Sequence, residues 1–180
     1  MRRSTTVLLG AVATAAAAAL TTALPADAAT TATTTTTFSL TGGALDITAP
    51  ATADLSSFPV NAGFVSGNLG DVIVTDGRGN AGASWTASVS ATAVTGSGTA
   101  EGVTLPAENV SYDPGSISAT NVTATGLRLQ SLSATPQATV AGTGGTGVNF
   151  ATWNPTLGVT IPAASAVTGT YTVTLSHSVA

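Results

Sequence analysis

The segment from Thr170 to Val179 alternates without a break. Tyr171, Val173, Leu175, His177 and Val179 fall on one side, and Thr170, Thr172, Thr174, Ser176 and Ser178 on the other. A period of two places one face on a core and the other in water, which is the signature of an antiparallel strand. Trp85, Ala87, Val89 and Ala91 repeat the pattern within Trp85 to Ala91. No stretch after Phe38 carries an apolar stripe at helical period. Thr, Ser, Val and Gly dominate there, whereas Lys, Gln and Glu are absent or scarce. β-branched residues favour pleated strands, and Gly and Pro mark the turns between them.

Further short strands are expected at Asp71 to Thr75, Val103 to Leu105, Asn109 to Tyr112, Leu127 to Leu132, Gln137 to Ala141 and Leu157 to Ile161. Phe38 to Leu40 and Leu45 to Ile47 flank Gly42-Gly43 and are expected to pair as a first hairpin. Turn signals recurring about every ten residues predict an all-β chain, an antiparallel β-sandwich of immunoglobulin-like type.

The chain has 180 residues. Its opening reads as a secretory signal peptide, residues 1–28. Arg2 and Arg3 precede an Ala/Leu/Val-rich run from Val7 to Leu24, and Ala26-Asp27-Ala28 supplies small residues at a cleavage site. A transmembrane anchor fits less well, because Thr14, Thr21 and Thr22 interrupt the run and the cleavage site follows at once. Residues 29–37 are nearly pure Thr and Ala, a linker with nothing to bury. One domain, residues 38–180, is expected after it. No second apolar span and no LPxTG-type sorting signal precedes Ala180, so attachment to a cell is expected to be non-covalent. The expected location is secreted, extracellular or wall-associated.

Charge and cysteine content narrow the function. The whole chain has a formal net charge of −4, and removal of the leader leaves two cations, Arg78 and Arg128, against seven carboxylates. Two cations neutralise too few phosphates for counterion release to drive nucleic-acid binding. An anionic membrane surface is not expected as a partner, on the same ground. There are no cysteines, which removes disulfides, thiolate metal sites and thiol nucleophiles. The mean hydropathy of +0.41 comes mostly from alanine spread along the chain.

Catalytic patterns are thin. The single histidine, His177, shares the apolar face of its strand and reads as a buried replacement for an aromatic. Glu101 and Glu108 bracket Pro106 and have the residue types of an acid/base pair, but loop carboxylates on an acidic chain are mostly solvated charges. Asp71, Asp76 and Asn80 offer oxygen ligands without the calcium-loop spacing. No cofactor, no metal and no enzymatic activity are expected. Asp76-Gly77-Arg78 is more informative. It is either a surface turn with a marginal ion pair or a tie that fixes a hairpin corner near Trp85.

Leu69-Gly70-Asp71-Val72-Ile73-Val74-Thr75-Asp76-Gly77-Arg78-Gly79, followed by Trp85-Thr86-Ala87, resembles the WxL domain, in which a V-x-D-x-R-G stretch precedes Trp-x-Leu. Tyr171 and Leu175 in the closing segment resemble the Tyr-x-x-x-Leu-Thr that leads to a second Trp-x-Leu. Trp153 and the segment Leu157 to Pro162 resemble the family's late Gly-rich stretch and L-x-V-P segment. Ala87 stands for Leu in the first motif; His177 and Val179 stand for Trp and Leu in the second. The resemblance implies a secreted module of Gram-positive bacteria that attaches non-covalently to peptidoglycan. Trp85 then becomes a glycan-stacking candidate, with Trp153 a second, unassigned aromatic. Alternation alone equally places Trp85 in a sandwich core, since it shares a face with Val89. A second function class fits the Thr-rich faces and edge strands: a structural or adhesive surface subunit that assembles with other surface proteins.

Overall fold

A computed structural model describes residues 31–180. The expected signal peptide and the first residues of the linker lie outside the described residues. Residues 31–38 are exposed and have no regular secondary structure, and the folded unit is Ser39–Ala180. No helix among the described residues is long and apolar enough to cross a membrane.

The unit is all-β. In chain order its strands are β1 (Leu45–Thr48), β2 (Phe64–Asn68), β3 (Val72–Asp76), β4 (Ala83–Ala91), β5 (Val94–Ser97), β6 (Thr104–Leu105) and β7 (Val110–Asp113). They continue as β8 (Ile117–Thr120), β9 (Thr123–Gly126), β10 (Gln137–Gly145), β11 (Asn149–Trp153), β12 (Thr156–Thr160), β13 (Thr170–Thr172) and β14 (Leu175–Val179). All pairings are antiparallel, in four sheets ordered β1-β3-β11-β8, β14-β4-β10-β9, β2-β12-β7 and β13-β5-β6.

Two buried clusters hold the sheets face to face as a sandwich. In one, Val72 and Val74 of β3 and Ala151 and Trp153 of β11 pack on Trp85 and Ala87 of β4 and Val140 of β10. In the other, Val89, Ala91, Val94 and Leu105 pack on Val110, Tyr112, Leu157 and Val159. β4 therefore feeds both clusters from one alternating face: Trp85, Ala87, Val89 and Ala91 are all buried. Removing this apolar area from water is the main favourable term of folding.

Three expectations are corrected. The first hairpin does not form, because residues 38–40 are irregular and exposed, and β1 pairs with β3 instead. Gly42 and Gly43 serve a different purpose. The Gly43 N–H donates to the Gly77 carbonyl (2.6 Å), and a Cβ on Gly42 would collide with the Arg78 carbonyl. Leu127 to Leu132 is not a strand. Its backbone bonds in turn to Thr139, Tyr112 and Val110, so it bridges β10 and β7 without forming a ladder with either. Thr170 to Val179 is two strands, with the alternation intact across the break. The Thr92 N–H donates to the Thr174 carbonyl (2.9 Å), and the Thr174 N–H donates to Thr92 Oγ1 (3.1 Å). The ribbon bends there, so that β13 pairs with β5 while β14 pairs with β4.

Candidate functional site

β3 turns Val72, Val74 and Asp76 inward, so its last inward position carries a carboxylate. A buried carboxylate must be paired and hydrogen-bonded to be tolerated. Asp76 is fully buried and accepts four bonds. Oδ1 takes the Arg78 N–H (3.1 Å) and Nε (2.8 Å), while Oδ2 takes Arg78 Nη2 (2.9 Å) and Asn149 Nδ2 (3.2 Å). The paired guanidinium fork is the strong geometry for such a contact. These bonds hold the Asp76 carboxyl down at about pH 2, the Arg78 side-chain bonds foremost, although burial acts in the opposite direction.

The pairing is relayed to the tryptophan. Arg78 Nη2 also donates to the Ser84 carbonyl on β4 (2.8 Å), and Trp85 Nε1 donates to Asn149 Oδ1 (3.2 Å). Asp76, Arg78, Asn149 and Trp85 thus form one connected network joining β3, β4 and β11. Gly142 sits opposite Trp85 in β10, where a Cβ would collide with the indole. The strand supplies a slot and the ring fills it.

Both tryptophans are interior. Trp85 and Trp153 are each 2% exposed, so neither presents a ring face to a glycan. Their assignment as ligand contacts is therefore corrected: the alternation that carries them runs on the core side of β4 and β11. Trp153 Nε1 donates to the Tyr112 hydroxyl (2.9 Å), linking the two clusters. Burial pushes the Tyr112 phenol up to about 12.

The closing-segment residues are also structural in placement. Tyr171 is half-buried, and its hydroxyl donates to the Val167 carbonyl (2.7 Å), pinning the preceding loop. Leu175 packs against the second cluster. The His177 ring lies 5.7 Å from that of Tyr112 at 57°, and its buried Nε2 has no hydrogen-bond partner among the described residues. Burial lowers its pKa from the ordinary value.

A pH effect follows. The unfolded chain takes up a proton near pH ~6.5, whereas the native ring resists it. Stability is therefore complete above that pH and declines as pH falls towards the depressed native value. His177→Phe is expected to flatten this part of a melting-temperature profile between about pH 4 and 7. Superimposable profiles for the two proteins would show that the imidazole is solvated.

The remaining polar candidates stay apart. Glu101 and Glu108 are exposed, on either side of β6. Asp71 and Asn80 are exposed while Asp76 is interior, and no group of three or more His, Asp or Glu among the described residues is arranged to hold a metal. Asn149 was not singled out by sequence reasoning. The signal was present in Asn149, Ala151 and Trp153, which alternate towards the core like β4.

Comparison with known proteins finds no matching family model, no matching curated protein and no matching solved structure.

Proposed function

We propose that this chain is a non-enzymatic, secreted surface module that holds non-covalently to the cell wall, with peptidoglycan or another wall glycan as its partner. The observation that carries this reading is the chemistry of the outer sheet faces. On the β1-β3-β11-β8 sheet, Thr75, Phe150 and Thr120 lie abreast, and Thr48, Ile73 and Thr152 form the neighbouring row. Phe150 is 43% exposed and Ile73 37%. Hydroxyls set beside half-exposed apolar side chains match a sugar, which presents C–H faces and hydroxyl edges. The leader-like opening and the WxL-like motifs support the same reading, including an immunoglobulin-like identity for the sandwich. Within it, the motif residues Asp76, Arg78 and Trp85 build the scaffold, and contact with the wall falls to exposed residues.

The test is co-sedimentation of the secreted protein with purified Gram-positive cell wall, against inert washed resin. The protein is expected in the wall pellet and in the resin supernatant. Recovery in both supernatants would contradict wall attachment and favour assembly with other surface proteins.

A further inference from the structure

The outer face of the β2-β12-β7 sheet is indented. Gly158 of β12 lies abreast of Ser66 on β2 and Ser111 on β7. A Cβ at this position would stand 2.6 Å from both Phe64 Cζ and Ser111 Oγ, so the glycine lets the Phe64 ring lie over the middle strand. Thr156, one pleat along, is abreast of Asp113. Together with Arg128 these side chains line a groove of about 200 Å³. An aromatic covering a glycine is a common way to shield a sheet, and it accounts for Phe64 over Gly158. Thr156 Oγ1 donates to Asn68 Oδ1 (3.0 Å) and Ser111 Oγ to the Gly158 carbonyl (3.4 Å), so both hydroxyls keep lone pairs that can accept from a ligand, and shielding does not account for a cation beside them.

The cation is the informative part. Arg78 is committed to Asp76 and Ser84, which leaves Arg128 as the other arginine of the folded unit. Its side chain is 55% exposed and forms an ion pair with Asp113, whose Oδ2 stands 3.6 Å from Nε, an exposed contact too long to be a hydrogen bond. Asp113 is held in place by accepting the Gly115 N–H at Oδ1 (2.9 Å). An exposed pair of this length is weak, so a ligand carboxylate can compete with Asp113 for the planar donor fork of Arg128 at the edge of the hydroxyl-lined groove.

We propose that this groove is a saccharide subsite for one pyranose ring that bears or adjoins a carboxylate. The C–H face of the sugar rests on Phe64, which is 48% exposed; Ser66, Ser111 and Thr156 meet its hydroxyls, and Arg128 takes the carboxylate. Pockets for drug-sized ligands enclose about 300–1,000 Å³, so a smaller groove suits a single ring within a polymer. The inference rests on the wall-binding reading and locates a contact for it.

The experiment compares wild type, Phe64→Ala and Arg128→Gln in co-sedimentation with Gram-positive wall, untreated or with its carboxylates amidated. Circular dichroism verifies the fold of each variant. Each variant is expected to bind untreated wall about tenfold more weakly, the scale of losing one good contact. Amidation should weaken the wild type and leave Arg128→Gln unchanged. Wild-type retention with undiminished binding by folded Arg128→Gln would overturn the subsite while leaving wall attachment standing. Arg128 is exposed, so that variant stays informative if Phe64→Ala fails to fold. Should the wild type not bind wall at all, glucuronate titration followed by amide chemical shifts decides the subsite alone. Shifts at Ser111, Thr156 and Gly158 that vanish in Arg128→Gln would support it, and their absence from the wild type would overturn it.

Discussion

Trp85→Ala is expected to lower the stability of the folded unit by about 3–5 kcal/mol, the cost of deleting a buried indole. For a domain of this size that corresponds to a fall in melting temperature on the order of 10 °C or more. Three features put the effect at the upper end. The indole is nearly fully buried between β4 and β11; Gly142 has no side chain with which to refill the cavity; and Asn149 Oδ1 loses its donor. Trp85→Phe should fall between, since it keeps most of the packing but still leaves Asn149 Oδ1 unmatched. Thermal melts of the two variants against wild type measure this. A melting temperature unchanged by Trp85→Ala would place the ring outside the core.

Asp76→Asn is expected to cost about 2–3 kcal/mol near neutral pH, the scale of lost charge-assisted hydrogen bonds at a buried site. It leaves the guanidinium of Arg78 facing an amide that also carries donors. The cost should depend on pH. The native carboxyl titrates at about 2, below its ordinary 3.8, so its contribution is complete above about pH 4 and is lost as pH falls from there towards 2. Wild-type and Asp76→Asn stability curves should therefore converge through that window. Parallel acid limbs would show that the pairing does not survive in solution.

How much of this was legible in the sequence depended on what each residue had to do locally. β4 was readable because one period-two face buries Trp85, Ala87, Val89 and Ala91 along a single strand. Leu127 to Leu132 carries alternating leucines, yet its hydrogen bonds go to two different strands, β10 and β7, and build a ladder with neither. No local pattern specifies such a path. β8 and β9 carry little signal because, Ile117 apart, Thr, Ser, Ala and Gly fill them, and such residues look the same in a sheet edge as in a loop. Asp76 and Arg78 are two residues apart and could be paired on paper. Asn149, which passes that pairing to Trp85, is 73 residues from Asp76 and comes close only when β11 aligns with β3. The groove at Gly158 was illegible for the same reason, since β2, β7 and β12 meet only in the folded sheet.

The motif tryptophan serves the scaffold, and the proposed wall contact falls to exposed residues elsewhere on the surface. Acrylamide quenching of tryptophan emission, with and without purified cell wall, tests it most directly, because Trp85 and Trp153 are the protein's two indoles and both are interior. Blue-shifted emission, weak quenching and no change when wall is added to saturation are the expected result. An indole quenched as readily as free tryptophan, and protected when the wall is added, would contradict it.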